Sequence, residues 1–258
     1  MKHGFSLVEL SIVLVILGLL TGGILTGQSL IRAAEIRSVT TQLSQYHAAL
    51  YTFRDKYYGL PGDLTNATAF WGIAAGSTGN DATCYAASGT GTATCNGNGN
   101  GYIHGAAVNY VEIFRAWQHL TNAGMVEGTY TGLNDDASNS DAAYVAGENT
   151  PACKITNCRI SLIGLSNGWA EDANYFAQPA GNRFDIRGTS GNAGPLTPAE
   201  TWGIDKKIDD GLPTFGKFRV NHKMSGAFAP NCTDSNTAAG AGYRLEDDTK
   251  RCGPTYYM

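Results

Sequence analysis

The hydrophobic and polar positions of this chain change character along its length. Residues 10–31 include no charged side chain. At about 1.5 Å of helical rise per residue they span roughly 30 Å, the thickness of a bilayer core, so a membrane-crossing helix is predicted there. Beyond it Ile36, Val39, Leu43, Tyr46, Leu50, Phe53 and Tyr57 recur at alternating steps of three and four, which puts them on one face of a continuing amphipathic helix. That stripe needs a partner, expected to be a sheet from the rest of the chain, with Arg32, Glu35, Arg37, Gln45 and Arg54 largely off it. Gly59-Leu60-Pro61-Gly62-Asp63 then ends the helix with strong breaker chemistry.

The remainder is patchier. Residues 72–101 are dominated by Gly, Ser, Thr, Ala and Asn and read as an exposed loop. Within it Asn96-Gly97-Asn98-Gly99-Asn100-Gly101 has the look of a glycine-rich phosphate loop. No strand precedes it and no lysine follows at the required place, so a flexible loop is expected. Tyr110, Ile113, Phe114, Trp117 and Leu120 have helical spacing, and Gly124 suits the exit of a second, shorter helix. His119 on that helix has neither Glu112 nor Glu127 three or four residues away, and reads as a packed or capping histidine rather than a base. Residues 128–150, with Asp135, Asp136 and Asp141, are acidic and loop-like. Arg159 to Ile163 reads as a strand. Thr197-Pro198-Ala199-Glu200 announces a capped helix ending near Asp210-Gly211, and Lys217 to Val220 a further strand.

With 258 residues, 43 % of them hydrophobic, the chain can bury a real core. A net charge of −4 gives no broad basic field, so no nucleic acid partner is expected. The six cysteines fall into sequence-local pairs, Cys84 with Cys95, Cys153 with Cys158 and Cys232 with Cys252. Six thiols formally allow fifteen connectivities, of which nearest-neighbour pairing is the economical one. There is no repeated C-x-x-C, and His3, His47, His104, His119 and His222 are scattered away from the cysteines. Disulfides are therefore favoured over zinc, which puts the globular part in an oxidising compartment.

The N-terminus carries the sharpest signal. Met1-Lys2-His3-Gly4 is short and basic, and Phe5-Ser6-Leu7-Val8-Glu9 opens the hydrophobic run directly. A secretory signal is cut behind its apolar region and lost, whereas processing at Gly4 would keep that region. Glu9 is a carboxylate in an apolar run, which costs several kcal/mol unless it is paired. The nearest plausible cation is the α-amino group of Phe5, in the same chain or a neighbour. Gly18, Gly22, Gly23 and Gly27 crowd the middle of the segment, where small residues let helices approach closely.

Gly4-Phe5-Ser6-Leu7-Val8-Glu9-Leu10 resembles the processing motif of type IV prepilins and type II secretion pseudopilins. The resemblance implies that a prepilin peptidase cuts after Gly4 and methylates the amino group of Phe5. It also implies that Glu9 pairs with the amino group of the neighbouring subunit to set axial register. The leader would lie in the cytoplasm, in agreement with Lys2 on that side. Tyr57-Tyr58-Gly59-Leu60-Pro61-Gly62-Asp63 is similar to a Tyr-x-x-Leu-Pro-Gly-Asp segment of the same families, and Trp117-Gln118-His119-Leu120 with Ala123-Gly124 to larger pseudopilin-like proteins. Pilins often carry a proline in the glycine-rich region, and this chain has none there, so close packing in a filament core is expected rather than local melting. Some major pseudopilins use calcium, and Asp205, Asp209 and Asp210 are the acids to weigh for it. Lys206 and Lys207 sit beside them and the alternating ligand pattern is absent, so a structural turn is expected, with no cofactor.

The expected architecture is α+β: a long N-terminal helix packed on an antiparallel sheet, with added helices and disulfide-stapled loops. Residues 1–4 form a leader, 5–58 the helix, membrane-spanning over about 10–31, and 59–258 a globular domain. The expected function is that of a structural subunit of a type IV pilus or type II secretion pseudopilus, not an enzyme. The alternative is a minor tip subunit acting as an adhesin or binding module. Expected partners are identical or related pilin subunits, the prepilin peptidase, the inner-membrane assembly machinery and, before assembly, membrane lipid. The precursor is expected as a single-pass inner-membrane protein with its globular domain in the periplasm, and then in the fibre.

Overall fold

Ser6 opens helix α1, which runs unbroken from Leu7 to Tyr57. In a computed structural model of the chain, the described residues are 6–80, 83–84, 91–104, 111–134, 143–167, 176–189, 194–220, 232–235 and 238–258. The acidic residues Asp135, Asp136 and Asp141 lie outside them, as does Tyr110. Helix α1 stops where Tyr58 turns into the left-handed region at φ 56°, its N–H still bonded to the Arg54 carbonyl at 2.8 Å. There follow α2 (Ala67–Trp71), α3 (Val111–Asn122), β1 (Cys158–Leu165), β2 (Gly181–Gly188), α4 (Pro198–Ile208), β3 (Phe218–Val220) and β4 (Pro254–Tyr257).

The strands form one antiparallel sheet in the order β1-β2-β4-β3. Because side chains alternate along a strand, the register Leu162↔Phe184↔Tyr256↔Phe218 puts an apolar row on one face. Arg159, Ser161, Arg183, Asp185 and Thr255 fall on the other. The apolar row joins Val39, Leu43, Tyr46, Leu50 and Phe53 of α1, Trp117 and Leu120 of α3 and Ile204 of α4 in a single core. The α1 stripe thus meets the sheet, through Tyr46 with Phe184 at 6.4 Å between ring centres, and is gripped by α3 and α4 as well. Tyr46 packs edge-on against Trp117 at 4.9 Å.

The opposite face holds a buried charge network. Arg183 Nε donates to Asp185 Oδ1 at 2.9 Å, with Arg187 at 3.6 Å from Oδ2. Burial pushes the Asp185 carboxyl up, and the Arg183 and Arg187 guanidiniums more than reverse this, holding it below the usual carboxylate range.

Two expectations from the sequence need correction. Residues 72–101 are not simply an exposed loop: Cys84, Thr94 and Cys95 are buried, and Thr94 pairs with Ile73 in an isolated parallel bridge. Nor is the asparagine-glycine run a flexible segment, since it folds around a carboxylate described below. The sheet also contains β2 and β4, which the sequence reading did not single out.

Candidate assembly helix and its seat

The N-terminal half of α1 is a helix that nothing among the described residues covers. The side chains from Leu7 to Ile31 are exposed on all sides, Leu7 at 84 % and Leu14 at 61 %. A Cβ added at Gly18, Gly22, Gly23 or Gly27 would meet no atom within 4 Å. The hydroxyls turn inward on the backbone: Thr21 Oγ1 donates to the Leu17 carbonyl and Thr26 Oγ1 to that of Gly22, each at 2.9 Å. Such bonds satisfy the hydroxyl donors within the helix, so the surface is predominantly apolar despite its threonines, with Gln28 the exposed amide on it.

Ser6 caps the helix. Its Oγ accepts from Val8 N–H at 3.3 Å, and Glu9 Oε2 reaches back to accept from Ser6 N–H at 2.8 Å, forming a capping box. Assigning Glu9 to an ammonium overlooked this local partner, although the spacing Ser-x-x-Glu signals it. Gly4 and Phe5 lie outside the described residues.

The seat of the helix begins one residue past the apolar half. Arg32 forms a fork on Glu200 of α4, with Nε to Oε1 at 2.5 Å and Nη2 to Oε2 at 2.9 Å. It also donates to Glu35 at 3.1 Å. Arg32 and Glu35 therefore lie off the apolar stripe but belong to the docking. Glu200 serves twice, because its carboxylate also accepts from Thr197 N–H at 2.9 Å as the capping-box acid of α4. Gln42, likewise missed, donates to Tyr46 Oη at 2.8 Å and to the Ala152 carbonyl at 2.9 Å.

The far end of α1 is locked by α3. Gly62, at φ 83°, donates its N–H to His119 Nδ1 at 2.9 Å, and His119 Nε2 lies 2.9 Å from Thr94 Oγ1, which donates to Gln118. With Nδ1 accepting, the ring proton is on Nε2 and the imidazole is neutral. Burial, reinforced by the Arg115 guanidinium, lowers the pKa of His119 to about 3. The histidine is a packed bridge.

Beside it, Asp63 is wrapped by the glycine-rich run. Oδ1 accepts from Gly99 N–H at 2.6 Å and Asn100 N–H at 3.1 Å, and Oδ2 from Gly101 N–H at 2.8 Å. Glu112 of α3 accepts from Asn98 N–H at 3.0 Å and His104 N–H at 2.9 Å. The loop is an anion nest in the physical sense, and its anions come from the protein itself.

The cysteines are joined as Cys84 to Cys95, Cys153 to Cys158 and Cys232 to Cys252. Asp205, Asp209 and Asp210 do converge, with oxygens within 4.8 Å of one another. Each is occupied as an acceptor: Asp205 from Tyr243 Oη at 2.7 Å and Gly211 N–H at 3.1 Å, Asp209 from Phe218 N–H at 2.7 Å, and Asp210 from Leu212 N–H at 2.8 Å. Burial raises the Asp205 pKa to about 6.

Residues 1–25 match a family described as the prokaryotic N-terminal methylation motif. No curated protein and no solved structure matches the chain. The fold is α+β and type IV pilin-like, and its N-terminus is a type IV prepilin-type cleavage and methylation segment. The matched segment supports a precursor of the pilin or pseudopilin type. Such a segment points to a structural subunit rather than an enzyme, and α1 is long and apolar enough to cross a membrane, consistent with anchoring there.

Proposed function

We propose that the protein is a subunit polymerised into a type IV pilus or a type II secretion pseudopilus after clipping between Gly4 and Phe5. The observation that carries this reading is the division of α1: its second half is consumed by the protein's own core, while its first half presents apolar side chains all round that no described residue covers. Lipid covers that surface in the inner membrane, with the globular domain in the periplasm, and sister helices cover it in the fibre. Glu9 retains acceptor capacity beyond the Ser6 N–H, since a carboxylate offers about four lone-pair sites. The methylated amino group of Phe5 from a neighbouring subunit fills it and sets register. Ser6 survives the cut, so the capping box does too.

The test is intact mass and sheared-fibre yield for wild type and Glu9→Ala, expressed with a prepilin peptidase and assembly machinery. The wild type is expected to lose four residues, gain one methyl group and enter fibres. The variant is expected to be processed but to stay in the membrane. Retention of the leader, or fibres that never contain the protein, would sink the reading. A stoichiometry of a few copies per fibre would assign the subunit to the tip.

We read the Asp205, Asp209 and Asp210 cluster as a hydrogen-bonded turn rather than a calcium site. A calcium shell takes six to eight oxygens, whereas these acids converge on N–H and O–H donors. Calcium against chelator is expected to move the melting temperature by less than about 1 °C, since binding stabilises by mass action; a concentration-dependent rise of several degrees would reverse this reading.

A further inference from the structure

The run Asn96-Gly97-Asn98-Gly99-Asn100-Gly101 is three successive Asn-Gly pairs, each open to a reaction that needs no enzyme. The glycine backbone nitrogen, on losing its proton, attacks the carboxamide carbon of the preceding asparagine. The new N–C bond closes a succinimide ring, the bond to the side-chain nitrogen breaks, and ammonia departs with the proton. Water then opens the ring to aspartate or isoaspartate. Glycine favours the closure because it has no Cβ in the way and its backbone turns freely.

In the folded protein both reactants of every pair are engaged. The attacking nitrogens are tied down: Gly97 N–H donates to the Leu64 carbonyl at 2.9 Å, Gly99 N–H to Asp63 Oδ1 at 2.6 Å and Gly101 N–H to Asp63 Oδ2 at 2.8 Å. The asparagine carboxamides are tied as well. Asn96 Oδ1 accepts from Thr68 N–H at 2.8 Å, Asn98 Oδ1 from Asn100 N–H at 3.0 Å and Asn100 Oδ1 from Tyr102 N–H at 2.8 Å. A side chain must give up such a bond to swing toward its own following nitrogen. A Cβ at Gly97 would run into the Gly62–Asp63 backbone and one at Gly99 into Thr65, so these two of the three glycines that make the run reactive are also required by the close approach. Asp63 is buried, and a carboxylate against an amide N–H opposes the second negative charge that deprotonation would create.

We propose that Asp63 is a positioning residue that shields Asn98-Gly99 and Asn100-Gly101 from succinimide formation, and that this run is a covalent modification site whose rate reports local opening of the cradle. Asn96-Gly97, held by a backbone carbonyl, is shielded independently of the Asp63 side chain.

The experiment ages the full chain in detergent micelles in mildly alkaline buffer, natively and in urea, and follows aspartate and isoaspartate at each pair by peptide mapping. Native wild type is expected to react about tenfold or more slowly than the unfolded chain, the protection scaling with the opening equilibrium. In Asp63→Asn the second and third pairs accelerate while the first stays slow. General unfolding would speed all three alike; in that event Asp63→Glu, which keeps the charge and shifts the oxygens by one methylene, is held to the same pattern. Equal rates in native and urea-treated wild type overturn the proposal. So does a folded Asp63 variant whose second and third pairs stay at the wild-type rate.

Discussion

Between Leu7 and Ile31 α1 presents apolar side chains in every direction, and all of them are exposed in the isolated chain, whereas between Val39 and Phe53 the same helix presents one stripe that is almost wholly buried. The backbone is continuous and the helical geometry does not change; the side-chain pattern does. An all-round apolar surface has no preferred partner direction, so lipid tails and packed helices can cover it equally well. A single stripe flanked by Thr41, Ser44 and Gln45 has one partner, the protein's own core. Under the proposed function, this division would let a subunit leave one apolar environment for another without disturbing its fold.

The largest effect expected from this contrast comes from truncating the same kind of side chain in each half. Phe53 is fully buried and stacks on His119 at 6.3 Å, and Phe53→Ala should cost about 3–5 kcal/mol of domain stability. Leu14→Ala, in the exposed half, should change it by less than about 0.5 kcal/mol while still lowering fibre yield. Denaturant unfolding in micelles, read by tryptophan fluorescence, decides: comparable losses would mean that the halves are not energetically separate.

A middle-sized effect tests the lock at the far end of α1. His119 titrates near 6.5 when unfolded and only at about 3 in the fold. As pH falls below 6.5 the unfolded chain takes a proton that the folded protein refuses, so this group's contribution to stability is full above 6.5 and declines as pH drops toward 3. The decline is about 1.4 kcal/mol per pH unit. Between pH 6.5 and 4.5 the wild type should lose about 2–3 kcal/mol more than His119→Gln, which cannot titrate. Parallel acid profiles for the two proteins would show that the Gly62 bridge does not hold the ring neutral.

How much of this was legible in sequence differs between the halves for a physical reason. An uncharged run and a seven-member stripe are periodic signals, and both α1 environments could be read from them. So could the α4 cap, because Thr197-Pro198-Ala199-Glu200 satisfies its own termini locally. The strand β2 alternates Arg183, Asp185 and Arg187 with Phe184 and Ile186, a period of two that was available. Its charged positions are buried against one another rather than solvated, which composition cannot reveal. The Asp63 cradle was unreadable for a different reason: it joins Asp63 to the backbone of residues 99–101, and only the fold brings those N–H groups onto one carboxylate. Glu9 lies between these cases, its capping role local and legible and the intermolecular role proposed for it beyond any single chain.

The smallest effect concerns the boundary itself. Arg32 is where the uncovered half meets the seat, and its fork on Glu200 is, among the described residues, the first polar contact between α1 and the globular domain. A partly exposed ion pair contributes roughly 1 kcal/mol or less, but Glu200 also closes the α4 capping box on Thr197 N–H, a further hydrogen bond worth about 0.5–1.5 kcal/mol. Glu200→Ala should therefore cost more than Arg32→Ala. A double-mutant cycle should isolate a coupling of about 0.5–1 kcal/mol that shrinks in high salt. Glu200→Gln is the sharper variant, because the amide oxygen can still accept from Thr197 N–H while the charge is gone, so it should reproduce the Arg32→Ala loss. If Arg32→Ala is neutral and the coupling vanishes, the apolar stripe alone seats the helix, and the boundary between the two halves is set by hydrophobic pattern without electrostatic help.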